Sequence, residues 1–170
     1  IHDLTFARVP DAAVPSLVGY LSDVVPRSIR NSDVVIVNSE STKTDIIALY
    51  GTPEDHIVPV QFGVDSRFSP SPDGLNELRA KYALPENPYI LAVGTVQPRK
   101  NYARLISALG QLRRNGLDVS LVIAGGKGWL DAPIYDTISA EKLDSSVILL
   151  GYVDDSDLPA LYSNAAVFAM

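Results

Sequence analysis

The stretch from Tyr89 to Gly128 limits what this chain can fold into more than any other. Tyr89-Ile90-Leu91-Ala92-Val93 is continuously apolar and short, as expected of a strand buried on both faces of a parallel sheet. Gly94 ends it, and Thr95-Val96-Gln97-Pro98 leads to the cations Arg99 and Lys100. Asn101 then stands where a helix N-cap belongs, with a side-chain oxygen able to accept an orphan backbone N–H. A helix is predicted from there to about Asn115, with Leu105, Ile106, Leu109 and Leu112 on one stripe and Arg104, Gln111 and Arg113 turned away; Gly116 stops it. Val119 to Ala124 reads as the next strand and opens into Gly125-Gly126-Lys127-Gly128.

Strand, helix and strand in this order form a right-handed βαβ unit. Ligands of such sheets bind outside the carboxyl ends of the strands, where Arg99, Lys100 and Lys127 all emerge. Cations, free backbone N–H groups and a helix dipole gathered there suit an anion, and a phosphate ester is the natural candidate. The spacing alone equally allows a solvated turn and glycines that merely reverse the chain.

The net charge of −6 argues against nucleic acid as the main partner, since no basic stripe is available to displace counterions. Local cations in an acidic chain are the more telling. Absence of cysteine excludes disulfides and thiolate metal sites and is compatible with a reducing compartment. No apolar run approaches a membrane span and no signal peptide is visible, which leaves peripheral membrane contact open.

Elsewhere the chain alternates between the same two periods. Ile1 to Phe6 reads as a strand end running into a loop, and Val14 to about Ile29 as a helix that Pro26 must end or kink. Asp33 to Val37 is a strand; Asn38-Ser39 caps a helix through Tyr50 with Ile46, Ile47 and Leu49 inward; His56 to Val60 is a strand that Pro59 confines to an edge. The segment 63–74, GVDSRFSPSPDG, has the composition of a linker. Beyond it come a short helix over Asp73 to Ala83, a helix from Ile134 to Leu143, a strand from Ser146 to Leu150, and a helix capped by Asp155 or Ser156 that buries Leu158, Leu161 and Tyr162. Ala165 to Met170 reads as a final strand whose carboxyl-end loop is missing, so an internal piece of a longer protein is expected. The expected fold is α/β, a Rossmann-like parallel sheet with helices on both faces on each side of the linker.

In order along the chain, IHDLTF, DVVIVNSESTKTDI, GVDSRFSP, ILAVGTVQPRKN, VIAGGKGW and GYVDDSDLPALYSNAAVF resemble the group 1 retaining glycosyltransferases, family 4 of the GT-B fold, close to its mannosyltransferase-like branch. The resemblance implies that residues 1–62 end an acceptor-side domain and that residues 75–170 begin a domain for the nucleotide-sugar donor, a partial GT-B fold. It implies that Arg99 and Lys100, with Gly94 and Thr95, hold the donor diphosphate; many members carry an arginine at the position of Thr95. Gly125, Gly126 and Lys127 would pass close to the nucleotide, and Tyr152, Val153 and Leu158 would line the base, core packing being the alternative for Tyr152 and Leu158. His2 matches the histidine that faces the transferred sugar, with Asp3 beside it, and these two are the catalytic candidates. Ser39 and Glu40 match a family segment as well, although Ser39 is explained as a helix cap, and Phe62-Gly63 replaces a frequent asparagine-glycine pair.

The family's paired-glutamate motif would follow Met170, and most of the acceptor domain would precede Ile1, so this piece alone is expected to be inactive. The parent reaction implied is transfer of a hexose, mannose favoured, from a GDP-, UDP- or ADP-sugar to a glycan or lipid-linked glycan with retention of configuration. Neither cofactor nor metal is expected, because cations can replace a divalent ion at the diphosphate. The expected place is cytoplasmic, including the cytoplasmic face of the membrane. Two other readings remain at this point: a non-catalytic nucleotide-binding module, and a nucleotide-sugar epimerase of GT-B fold. A dehydrogenase does not fit, since Gly94 is followed by Thr95-Val96-Gln97-Pro98 and the G-x-G-x-x-G spacing fails.

Overall fold

A computed structural model of the chain describes residues 1–71, 73–129 and 131–170. They form two compact units, Ile1–Val64 and Asp65–Met170.

The first unit contains α1 (Thr5–Arg8), α2 (Pro15–Asn31), β1 (Val35–Val37), α3 (Glu40–Tyr50) and β2 (Ile57–Pro59). β1 and β2 are parallel, with Val35 opposite Ile57 and Val37 opposite Pro59, and both are shorter than the sequence predicts. The opening residues are not a strand end. Asp3 Oδ1 accepts the Thr5 N–H at 2.9 Å, which starts a helical turn instead. α2 runs on through Pro26 to Asn31; Pro26 deprives only the Ser22 carbonyl of a donor, and Ser22 is exposed, so water can serve it. Ser39 Oγ accepts the Thr42 N–H at 3.1 Å and caps α3, while Gly51, at φ 63°, donates to the Ile47 carbonyl and closes it. Thr42 and Ile46 face inward, and Leu49, predicted inward, is 39% exposed at the edge of that stripe. The unit's core joins Leu4, Phe6, Ile29, Val35, Val37, Ile46 and Ile57.

The second unit contains α4 (Leu75–Tyr82), β3 (Tyr89–Val93), α5 (Tyr102–Arg114), β4 (Ser120–Ala124), α6 (Ala132–Ala140), β5 (Val147–Gly151), α7 (Leu158–Asn164) and β6 (Val167–Phe168). All four strands are parallel, in the order β5-β4-β3-β6. Alternation along β3 and β4 sorts their side chains to two faces. Ala92, Leu121 and Ile123 meet Ile106 and Leu109 of α5 and Ile134 and Ile138 of α6. Tyr89, Leu91, Val122 and Ala124 meet Leu78 of α4 and Leu161 of α7. β4 is buried at every residue, which is why its sequence carries no polar alternation.

Several boundaries differ from those predicted. α6 ends at Ala140, because Lys142 takes φ 55° and the Leu143 N–H returns to the Ile138 carbonyl at 3.0 Å. Neither Asp155 nor Ser156 caps α7; Asp157 precedes it, and its carboxylate accepts instead from Lys81 Nζ at 2.7 Å and Tyr82 Oη at 2.6 Å. Arg113, expected to point away, is half-buried and donates to the Val119 carbonyl at 2.9 Å. β6 covers only Val167 and Phe168 of the predicted 165–170 strand. Residues 65–71, linker-like in composition, pack onto α7: the Ser71 N–H donates to Ser163 Oγ at 3.1 Å, and the Phe68 and Tyr162 rings meet edge to face at 5.9 Å. Pro72, also within the predicted linker, lies outside the described residues.

Candidate functional site

The strand order places a switch point at β3. From β3 the chain steps to β4 and β5 on one side, then returns to place β6 on the other side of β3. The crevice outside the carboxyl end of β3 is where open α/β sheets bind ligands. The loop that leaves β3 there is Gly94 to Asn101.

This loop is laced to the glycine turn after β4. The Gly94 N–H donates to the Ala124 carbonyl at 2.8 Å, the Val96 N–H to the Gly126 carbonyl at 3.0 Å, and Val96 forms a parallel bridge with Lys127. The Gly125 N–H donates to the Gly151 carbonyl at 2.7 Å, which ties in the end of β5. Contact this close demands glycine. A Cβ on Gly125 would lie 2.0 Å from the Gly94 carbonyl oxygen, and one on Gly128 would lie 2.3 Å from that of Val96. The turn's composition therefore answers first to the approach of two backbones.

Pro98 to Lys100 form a single 3₁₀ turn, and Asn101 follows at φ 52° without capping α5 through its side chain. The left-handed conformation that joins this turn to α5 is one that asparagine tolerates, so the residue was chosen for its backbone and not for its side-chain oxygen. Lys100 is half-buried and lies across Gly94, with Cε 2.8 Å and Nζ 3.2 Å from the point a Gly94 Cβ would occupy. Gly94, at φ 144°, has its carbonyl held by the Tyr102 hydroxyl, which donates at 3.1 Å. Tyr102 is 4% exposed, and burial, with a smaller contribution from Tyr162, pushes its hydroxyl pKa up. Arg99, Thr95 and Lys127 are exposed. The Lys127 ammonium lies 3.8 Å from the Asp131 carboxylate, one oxygen of which is buried without a hydrogen-bond partner.

Arg99, Lys100 and Lys127 thus come from two hydrogen-bonded loops at one end of the sheet, as their spacing requires. Of the residues assigned to the base, Tyr152 presents its side chain to solvent, 76% exposed; Val153 is buried in the core at 5%, and Leu158 packs partly against the same core. In the first unit, His2 and Asp3 stand beside the start of α1. The His2 ring lies 5.6 Å from that of Phe62, and its carbonyl accepts from Thr42 Oγ1 at 3.2 Å. Tyr102, whose hydroxyl holds the Gly94 carbonyl, is not marked out by the sequence motifs, although it stands four residues before Ile106 and extends the buried stripe of α5 back by one turn. Among the described residues no three of His, Asp and Glu lie together so as to hold a metal ion.

A parallel sheet of this order, with helices on both faces and a glycine-laced loop at its switch point, is that of a Rossmann-like domain. Residues 76–170 match the family described as Glycosyl transferases group 1, and the chain belongs to that family. It is 29% identical over 169 residues to O-antigen chain mannosyltransferase B of Escherichia coli, covering 98% of this chain and 44% of that protein. It is 32% identical over 144 residues to the GDP-mannose-dependent alpha-(1-6)-phosphatidylinositol monomannoside mannosyltransferase of Mycolicibacterium smegmatis, covering 83% of this chain and 37% of that protein. Among solved structures, Anabaena HepE in complex with UDP and glucose superposes with a TM-score of 0.77 at 22% identity, over 98% of this chain and 44% of that one. The fold is that of part of a GT-B glycosyltransferase. The chain spans less than half the length of these relatives. No helix among the described residues is long and apolar enough to cross a membrane.

Proposed function

We propose that the second unit holds the nucleoside diphosphate of a sugar donor, and that the parent protein transfers a hexose, mannose favoured, from that donor to a hydroxyl of a glycan or lipid-linked glycan with retention of configuration. The observation that carries this reading is the set of Gly94, Lys100 and the amino end of α5 at the switch point of the sheet, beside a loop bearing Lys127. The name of the mycobacterial relative, GDP-mannose-dependent, favours GDP-mannose as donor.

In the reaction the bond from the anomeric carbon to the diphosphate oxygen breaks, and charge gathers on the leaving nucleoside diphosphate. Arg99 and Lys100 stabilise that charge, and Thr95 contributes from the turn between them and β3. The acceptor oxygen forms the new bond on the same face, and its proton passes to the leaving phosphate. His2 and Asp3 serve the transferred sugar, while Gly125, Gly126 and Lys127, with Tyr152 and the backbone at Val153 near Leu158, serve the nucleotide. The cations take the part a divalent ion would play, so the reaction needs no metal. The parent protein works in the cytoplasm, a place compatible with peripheral contact at the cytoplasmic face of the membrane.

Calorimetric titration of the chain with GDP, UDP and ADP, with and without a chelator, tests the donor assignment. One nucleotide binds, indifferent to chelator, and Arg99→Ala combined with Lys100→Ala weakens it by a few kcal/mol, since each removes charge-assisted hydrogen bonds worth about 1.5–3 kcal/mol. Undiminished affinity in the double variant would remove both cations from the site.

A further inference from the structure

We propose that Tyr102 is a positioning residue for the donor diphosphate, a role that rests on the reading above: its hydroxyl, donated to the Gly94 carbonyl at 3.1 Å, holds the turn across which Lys100 lies. Gly94 has no side chain to anchor it and takes a φ of 144°, where its backbone is free to adopt other conformations. Two hydrogen bonds fix it, one from its own N–H to Ala124 and one to its carbonyl from Tyr102. In a trans peptide the carbonyl and the following N–H point opposite ways, and the chain has no cis peptide among its described residues. Holding the Gly94 carbonyl toward the buried Tyr102 therefore aims the Thr95 N–H to the side opposite that hydroxyl. One hydroxyl sets both the seat of the Lys100 ammonium and the direction of a backbone donor. Both act on an anion outside β3.

The test compares GDP and GMP titrations of the chain and of Tyr102→Phe, which removes only the oxygen. Tyr89→Phe is the control, because Tyr89 is another buried tyrosine, 3% exposed, whose hydroxyl donates to the Leu161 carbonyl at 2.8 Å within the core. Loss of one positioned hydrogen bond should weaken GDP binding about five- to tenfold, leave GMP binding unchanged, and spare both ligands in Tyr89→Phe. Equal GDP affinity in the chain and Tyr102→Phe overturns the proposal and leaves the donor reading standing. Equal losses for GDP and GMP, or the same loss in Tyr89→Phe, reduce Tyr102 to a structural residue. Failure of the unaltered chain to bind GDP sinks both this inference and the donor reading.

Discussion

A methyl group placed on Gly125 would press against the Gly94 carbonyl oxygen, and one on Gly128 against that of Val96, whereas one on Gly126 would meet open space. The obstruction at the first two is backbone, already held by the hydrogen bonds between the loops, so neither can yield cheaply. Gly125→Ala and Gly128→Ala should each cost about 1–3 kcal/mol, the usual range for overpacking, while Gly126→Ala should stay within about 0.5 kcal/mol. Urea denaturation of the three variants decides it; equal costs would mean that the loops are not so closely laced. The sequence makes the glycine run visible but cannot say which glycine is needed, because the answer lies in a second loop some thirty residues away. Asn101 shows the same limit. Its residue type suits both a side-chain cap and a left-handed backbone, and only the preceding 3₁₀ turn selects the second.

At the scale of elements, α7 is bound to the sheet and to α4 by polar groups with different responses to pH. Tyr89, on β3, donates to the Leu161 carbonyl within α7, and burial pushes its pKa up to about 12. The unfolded phenol titrates near 10, so this contribution to stability is complete below about pH 10 and is lost as pH rises toward the folded value. Tyr89→Phe should cost about 1 kcal/mol at neutral pH by leaving the Leu161 carbonyl unpaired, and should flatten the alkaline fall in stability measured by denaturation between about pH 10 and about pH 12. On the acid side, hydrogen bonds from Lys81 and then Tyr82 hold the Asp157 carboxyl below the usual carboxylate range. Its contribution is complete above about pH 4 and disappears as pH falls through the lower folded value. Asp157→Asn should thus differ from the unaltered chain at pH 7 and converge with it at strongly acid pH; a difference that persists there would assign the effect to packing. The strands and the buried stripe of α5 were legible in the sequence because apolar period and length determine them. The start of α7 was not, since Asp157 makes its bonds with residues of α4 more than seventy positions earlier.

The two compact units differ in how completely their sheets are covered. In the second, helices pack on both faces of four strands. In the first, a pair of strands carries one core, and Ile36, Val58, Val34 and Val60 remain exposed along it. Two strands with one covered face make a marginal sheet, so the first unit should melt first. The sequence showed the alternation of strands and helices on both sides of residues 63–74, but the unequal cover depends on which elements meet and could not be read from period alone. The chain's single tryptophan, Trp129, belongs to the second unit, beside the glycine turn. Its fluorescence therefore reports one unit while far-ultraviolet circular dichroism reports both. Heating should give a dichroism transition that begins below the tryptophan transition, the non-coincidence expected when two units unfold separately. A nucleotide held by the Gly94 loop stabilises only the unit that binds it, by about 2.7 kcal/mol at a hundred times its Kd. GDP should therefore raise the tryptophan midpoint and leave the early dichroism step in place. Coincident melts that move together would show that the chain unfolds as one cooperative body, whereas separate melts in which only the early step moves would place the nucleotide on the first unit.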